Sequence, residues 1–153
     1  MNDEIQTTAE HAEAQAMPRR AAVHTKPGEA SVEQEALPAG VAKKPVAQKS
    51  PAEWAYQRLI LYIQNFEKTL DGEQEVAMGF TDTGGGFLRI EGLGHFDPDI
   101  VTFYGMDQTG ARVQLVQHVS QLNVLLRAMP KAKPDVEPVR IGFRLEKALE
   151  EDA

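Results

Sequence analysis

From Ala52 to Leu70 apolar residues recur every three or four positions, through Ala52, Tyr56, Leu59, Ile60, Ile63, Phe66 and Leu70. That spacing predicts one broad apolar face along a helix. Ser50 suits the N-cap, Pro51 the first helical position, and Glu53 would complete a capping box by bonding back to the cap's N–H. Gly72 offers a C-cap. Trp54 and Leu61 lie seven apart on roughly the opposite side of this helix, because seven steps of about 100° nearly complete two turns. They form a second, smaller ridge, with two uses open to it. A loop or the C-terminal segment covers it, or it is a surface for a protein partner or a second copy.

After Gly72 the period changes to two. The runs "EVAMGF", "FLRIEGLGHF", "IVTFYGM" and "ARVQLVQH" are each of strand length and are separated by short turns, so they predict a four-stranded antiparallel meander. Gly92 and Gly94 bare one face of the second strand, where a bulge, curvature or a close backbone approach is expected. The third strand is apolar on both faces: Ile100, Tyr104 and Met106 on one, Val101 and Phe103 on the other. It should be central and covered on both sides. "VSQLNVLLRAMP" returns to helical spacing through Val119, Leu122, Leu126 and Met129, and Pro130 ends it. "VRIGFRL" alternates again and reads as a late edge strand. The fold class is therefore α+β: an N-terminal helix, the meander, a second helix and an edge strand.

Composition divides the chain. Residues 1–49 hold no aromatic residue and almost no Ile or Leu, too little apolar surface to offset the entropy of ordering. They read as a disordered tail before an α+β domain at 50–145 and an acidic end at 146–153. A net charge of -7 is a poor match for a phosphate backbone. The absence of cysteine removes disulfides, thiol catalysis and Cys-type zinc sites. No run approaches the roughly 20 apolar residues that span a bilayer. The polar start lacks the apolar segment of a secretory signal, so a cytoplasmic location is expected.

The segments "SPAEWAYQRLILYIQNFE", "EVAMGF", "LRIEGLGHFDPDIVTFYG" and "LVQHVSQLNVLLRAMP", closing on "RIGFRL", resemble a proteobacterial family catalogued as domain of unknown function 6173. The resemblance spans the ordered part and implies a bacterial origin and the same domain boundaries. It implies no activity and no catalytic residue.

Four side chains could carry chemistry. Hairpin pairing brings His118 near Asp99 and Ile100 and sets His95 opposite about Val101, so His95, Asp97, Asp99 and His118 would gather at one end of the sheet. Two imidazoles and two carboxylates suit zinc, iron or manganese, or a general acid/base pair. The simpler use of the same residues is local: carboxylates flanking Pro98 bond turn N–H groups, and His118 caps the next helix. Gly84, Gly85 and Gly86 lack the lysine and helix of a phosphate loop and suit a hairpin tip. The arginines Arg89, Arg112, Arg140 and Arg144 suit a solvated, ion-paired face. A leading helix before bent strands also resembles the Sm-like barrels that form rings and bind RNA, but Ile100 and Val101 stand where those proteins place a base-reading Asn.

No motif points to a cofactor. The reading that follows is a non-enzymatic protein-interaction module that self-associates. A metal-binding protein using the sheet-end cluster and an Sm-like RNA-binding barrel are the alternatives.

Overall fold

Ser50 begins the long helix as its sequence predicts: its side chain accepts from the Glu53 N–H at 3.0 Å. The computed structural model describes residues 19–26, 28–80 and 86–151. Its helices are α1 (Ala39–Ala42), α2 (Pro51–Glu67) and α3 (Gly142–Glu151). Its strands are β1 (Gln74–Phe80), β2 (Phe87–Phe96), β3 (Ile100–Met106), β4 (Arg112–His118) and β5 (Val124–Pro130). Two details of α2 differ from expectation. The Glu53 carboxylate pairs with Lys44 at 2.9 Å and does not return to the cap, and the helix stops at Glu67, before Gly72.

The strands form one antiparallel sheet in the order β4-β3-β2-β1-β5, so the meander is as expected and β5 is added beside β1. The β1–β2 pairing is short, around Met78 and Leu88, and β2 shifts register between Ile90 and Gly92. The bulge between Ile90 and Gly92, where a bend is expected, sets a β2–β3–β4 leaf apart from β1 and β5. Pairing rows then fix two faces. Leu93–Phe103–Leu115 and His95–Val101–Gln117 point inward, whereas Gly92–Tyr104–Gln114 and Phe96–Ile100–His118 point outward.

The apolar face of α2, with Ala52, Tyr56, Ile60 and Ile63, seals the inner face against Val76, Met78, Phe80, Ile90, Val101 and Phe103. Burying each of the larger side chains stabilises by roughly 1.5–3 kcal/mol. The Phe80 and Phe103 rings meet edge-on at 4.9 Å between centroids.

The expected order of helix, four strands, helix and late edge strand holds, but on other residues. The second helical piece is a 3-10 turn at Val119–Gln121, and the late edge strand is β5. The helical spacing through Leu126 and Met129 was coincidental, because β1 offered an edge that Val124–Pro130 fills along its whole length. "VRIGFRL" is a correction of the opposite kind. Ile141, Leu145 and Leu149, four apart, are the buried residues, and Phe143 of the apparent alternation is exposed. The region read as an acidic end is thus largely α3.

The segment before α2 also needs revision from Ser31 onward. Val32 and Val41 are buried in the same core cluster as Leu61, Leu145 and Leu149. A Cβ on Gly40 would lie 2.6 Å from the Leu149 carbonyl, so only glycine allows this close approach to α3. Few apolar residues suffice because each lands on a groove between α2 and α3. Residues 1–18 of the tail reading and residues 81–85 of the glycine-rich tip lie outside the described residues.

Candidate functional site

The turn from Asp97 to Asp99 is built from backbone contacts as much as from side chains. Its Pro98 carbonyl accepts from the Ala52 N–H at 2.9 Å, and its Asp99 carbonyl accepts from the Val119 N–H at 2.8 Å. The turn therefore ties the start of α2 to the end of β4. Asp97 Oδ1 accepts from the Ser50 hydroxyl at 2.5 Å and lies 3.1 Å from His95 Nδ1. The Ser50 hydroxyl, followed by the adjacent His95, holds the Asp97 carboxyl below its ordinary range.

His118 caps the 3-10 turn. Its Nδ1 accepts from the Ser120 N–H at 3.1 Å, which leaves Nε2 to donate to Asp99 Oδ2 at 3.1 Å. The registers His95 with Val101 and His118 with Ile100 are those the hairpins predict. The four side chains nonetheless separate into two pairs, His95–Asp97 and His118–Asp99. Ile100 and Val101 are neighbours in a strand, so the residues opposite them face opposite sides of the sheet. His95 faces inward against the Tyr56 ring at 4.8 Å, and His118 faces outward. Among the described residues no three His, Asp or Glu side chains group as metal ligands do.

Trp54 and Leu61 are used within the chain. Leu61 is buried in the core cluster that holds Val32 and Val41, and Trp54 packs partly buried against it. The Trp54 ring is flanked by the Lys49 amine at 4.6 Å and the Arg58 guanidinium at 4.5 Å. Lys49 Nζ also donates to the Val41 carbonyl and to Gln57 Oε1, both at 2.5 Å. Burial pushes the Lys49 amine down from its usual value.

The outer face of the sheet is covered over β1, where Glu75 and Ala77 are buried, and is more open elsewhere. The expectation that β3 is covered on both sides meets its exception here: Tyr104 and Met106 are 41% and 39% exposed. Phe96 (76%), Val116 (58%) and Leu125 (58%) extend the apolar surface onto β2, β4 and β5. The glycines of this face serve as beds for rings. A Cβ on Gly79 would come within 2.9 Å of the Phe87 ring, and one on Gly92 within 3.6 Å of the Tyr104 ring. Arg127 sits 4.7 Å over Phe87. A groove beside it is lined by Ala77, Phe87, Arg89, Met106, Met129 and Lys133. Two of the four arginines are bonded within the chain: Arg89 pairs with buried Glu75 at 2.7 Å, and Arg140 donates to the Gln74 and Asp71 carbonyls. The open face was only partly legible in the sequence. Tyr104 and Met106 stood out, but Leu125 lay in a segment with a helical period.

An antiparallel sheet sealed by helices on one face and only partly covered on the other defines an α+β domain with an exposed sheet surface. This chain belongs to the Family of unknown function (DUF6173), whose model matches residues 44–144. No curated protein and no solved structure matches it. No helix among the described residues is long and apolar enough to cross a membrane.

Proposed function

We propose that the domain is a protein-interaction module that self-associates through the outer face of its sheet. One observation carries this reading: Phe96, Tyr104, Met106, Val116 and Leu125 lie exposed on the outer face, which is buried over β1 and open over β3, β4 and the β5 edge. Apolar side chains spread across several strands of one face, rather than scattered singly, favour a protein contact. Sedimentation velocity at micromolar concentration tests it. The wild-type chain is expected to exceed its monomer mass of 16.9 kDa. Val116→Lys with Leu125→Lys, both at half-exposed positions, is expected to weaken association at least about tenfold, roughly 1.4 kcal/mol, with an unchanged circular dichroism spectrum. A monomeric wild type overturns the proposal.

The Sm-like RNA-binding barrel is a second reading, favoured by the leading α2 and by the β2 bulge. The net charge of -7 weighs against it. Filter binding across a salt series separates the two readings, because RNA held by phosphate contacts is released steeply as salt rises.

A further inference from the structure

The register of β4 against β3 fixes which of its backbone groups are free. The Asp107 N–H donates to the Ala111 carbonyl at 2.9 Å, and the Val119 N–H donates to the Asp99 carbonyl at 2.8 Å. These bonds stand at the two ends of an unbroken antiparallel register. Hydrogen-bonded pairs alternate along such a ladder, so Val113, Leu115 and Gln117 bond to β3, and Arg112, Gln114, Val116 and His118 turn their N–H and C=O groups to the edge. The His118 N–H is already taken by Gln121 Oε1 at 2.9 Å. Arg112, Gln114 and Val116 remain, facing a side where no other strand of the described chain lies. Lysine, proline and bulges, the usual guards of a free edge, are absent from "RVQLVQH".

Resting on the self-association reading, we infer that β4 of one copy pairs antiparallel with β4 of a second copy, across a two-fold axis normal to the sheet. Such an axis reverses the strand direction and keeps both outer faces on one side, so two sheets join into one. A single register lets the three free residues of each copy pair only with one another. Gln114 opposes the partner's Gln114 on the axis, and Arg112 opposes the partner's Val116 on either side of it. About six backbone hydrogen bonds form. His118, already capped, stays outside the ladder.

The side chains agree with this register. On the outer face the Arg112 stem lies over the partner's Val116, which is 58% exposed in the single chain, and the two Gln114 amides are placed to bond each other. Arg112 pairs with no acid among the described residues. One diagonal step past the partner's Val116 stands the partner's His118, whose Nε2 lies 3.1 Å from the Asp99 carboxylate of its own chain. A long side chain spans that step of about 7–8 Å, so the unused cation gains a carboxylate. On the inner face Val113 opposes the partner's Leu115, which falls toward an open groove lined in part by Leu88, Val113 and Leu115. The other edge, β5, offers less. It ends in Pro130, and its Arg127 already lies over the Phe87 ring.

The chain has no cysteine, so engineered thiols report this register without background. Residues opposed on the axis stand about 5.5 Å apart at Cα, within the range a disulfide bridges. Gln114→Cys alone, oxidised mildly and run on a non-reducing denaturing gel, is expected to give covalent dimers. Val116→Cys alone is not, but it should cross-link once mixed with Arg112→Cys. Val116→Cys that cross-links by itself as fully as Gln114→Cys overturns the register. An oligomer by sedimentation in which Gln114→Cys gives no cross-link overturns the edge contact while leaving self-association standing. A monomer overturns both. Hydrogen exchange of the unmodified chain, read by NMR, provides a second measurement. The amides of Arg112, Gln114 and Val116 should gain protection as concentration rises, and those of Val124, Leu126 and Ala128 should not. Flat protection at the first three, or a gain on β5 in their place, overturns the pairing even where the cysteine variants fold poorly.

Discussion

Gln117 sits in the inward row with His95 and Val101, 3% exposed, and neither Nε2 nor Oε1 finds a hydrogen-bond partner among the described residues. A buried amide in that state costs about 1–3 kcal/mol. Gln117→Met keeps the shape and removes both groups, so it is expected to raise the thermal midpoint by several degrees, read by calorimetry. Ser50 and Asp97 give the pH-dependent counterpart. The folded carboxyl of Asp97 is depressed below its usual 3.8, principally by the Ser50 hydroxyl. Its contribution is complete above 3.8 and is lost as pH falls through the lower folded value. Ser50→Ala should move the Asp97 titration upward, measured by carbon NMR of the side chain, and should cost about 1 kcal/mol through the missing cap. The pairing of His118 with Asp99 was legible from hairpin length alone. So was its separation from His95, had parity been applied to Ile100 and Val101 together with register.

At the scale of elements, α2 and the four meander strands were legible because each shows one uncontested period and sits between clear turn residues. The regions that were misread show two periods at once. "VLLRAMP" fits a helix through Leu126 and Met129, and it fits a strand through Val124, Leu126 and Ala128. Only the open edge of β1 decides between them. "VRIGFRL" alternates, yet the longer spacing through Ile141, Leu145 and Leu149 is the one that meets α2. What fixes the start of α3 comes from a distant residue: buried Glu67 accepts from the Ile141 and Gly142 N–H groups at 3.0 and 2.8 Å. A carboxylate there also complements the positive end of the helix. Glu67→Ala is therefore expected to destabilise by about 1–3 kcal/mol, with the urea midpoint falling and exchange accelerating first in α3. Glu67→Gln, which keeps an acceptor, should lose less.

Across the whole molecule, the family match ends at Lys44 on one side and Arg144 on the other, and the segments beyond those limits pack together. The arm carrying Val32 and Val41 lies against α3 through Gly40, and both rest on α2. Such an addition leaves the sheet and its outer face untouched. Val41 is 1% exposed, so Val41→Asp would bury an unpaired charge. It is expected to make residues 19–49 sensitive to limited proteolysis and to loosen α3, while the amides of β2 and β3 keep their protection. The polar composition that suggested a free tail was accurate as a count. It missed that a short arm needs few apolar residues when a groove already waits for them.

The indole between Lys49 and Arg58 is the chain's single tryptophan. It stands beside the arm on α2, the helix that seals the inner face of the sheet, opposite the face proposed for contact. Emission colour and quenching by iodide will therefore record the arm lifting and settling. The same signal will stay silent when copies meet along the sheet, so one natural fluorophore separates the two motions without a label.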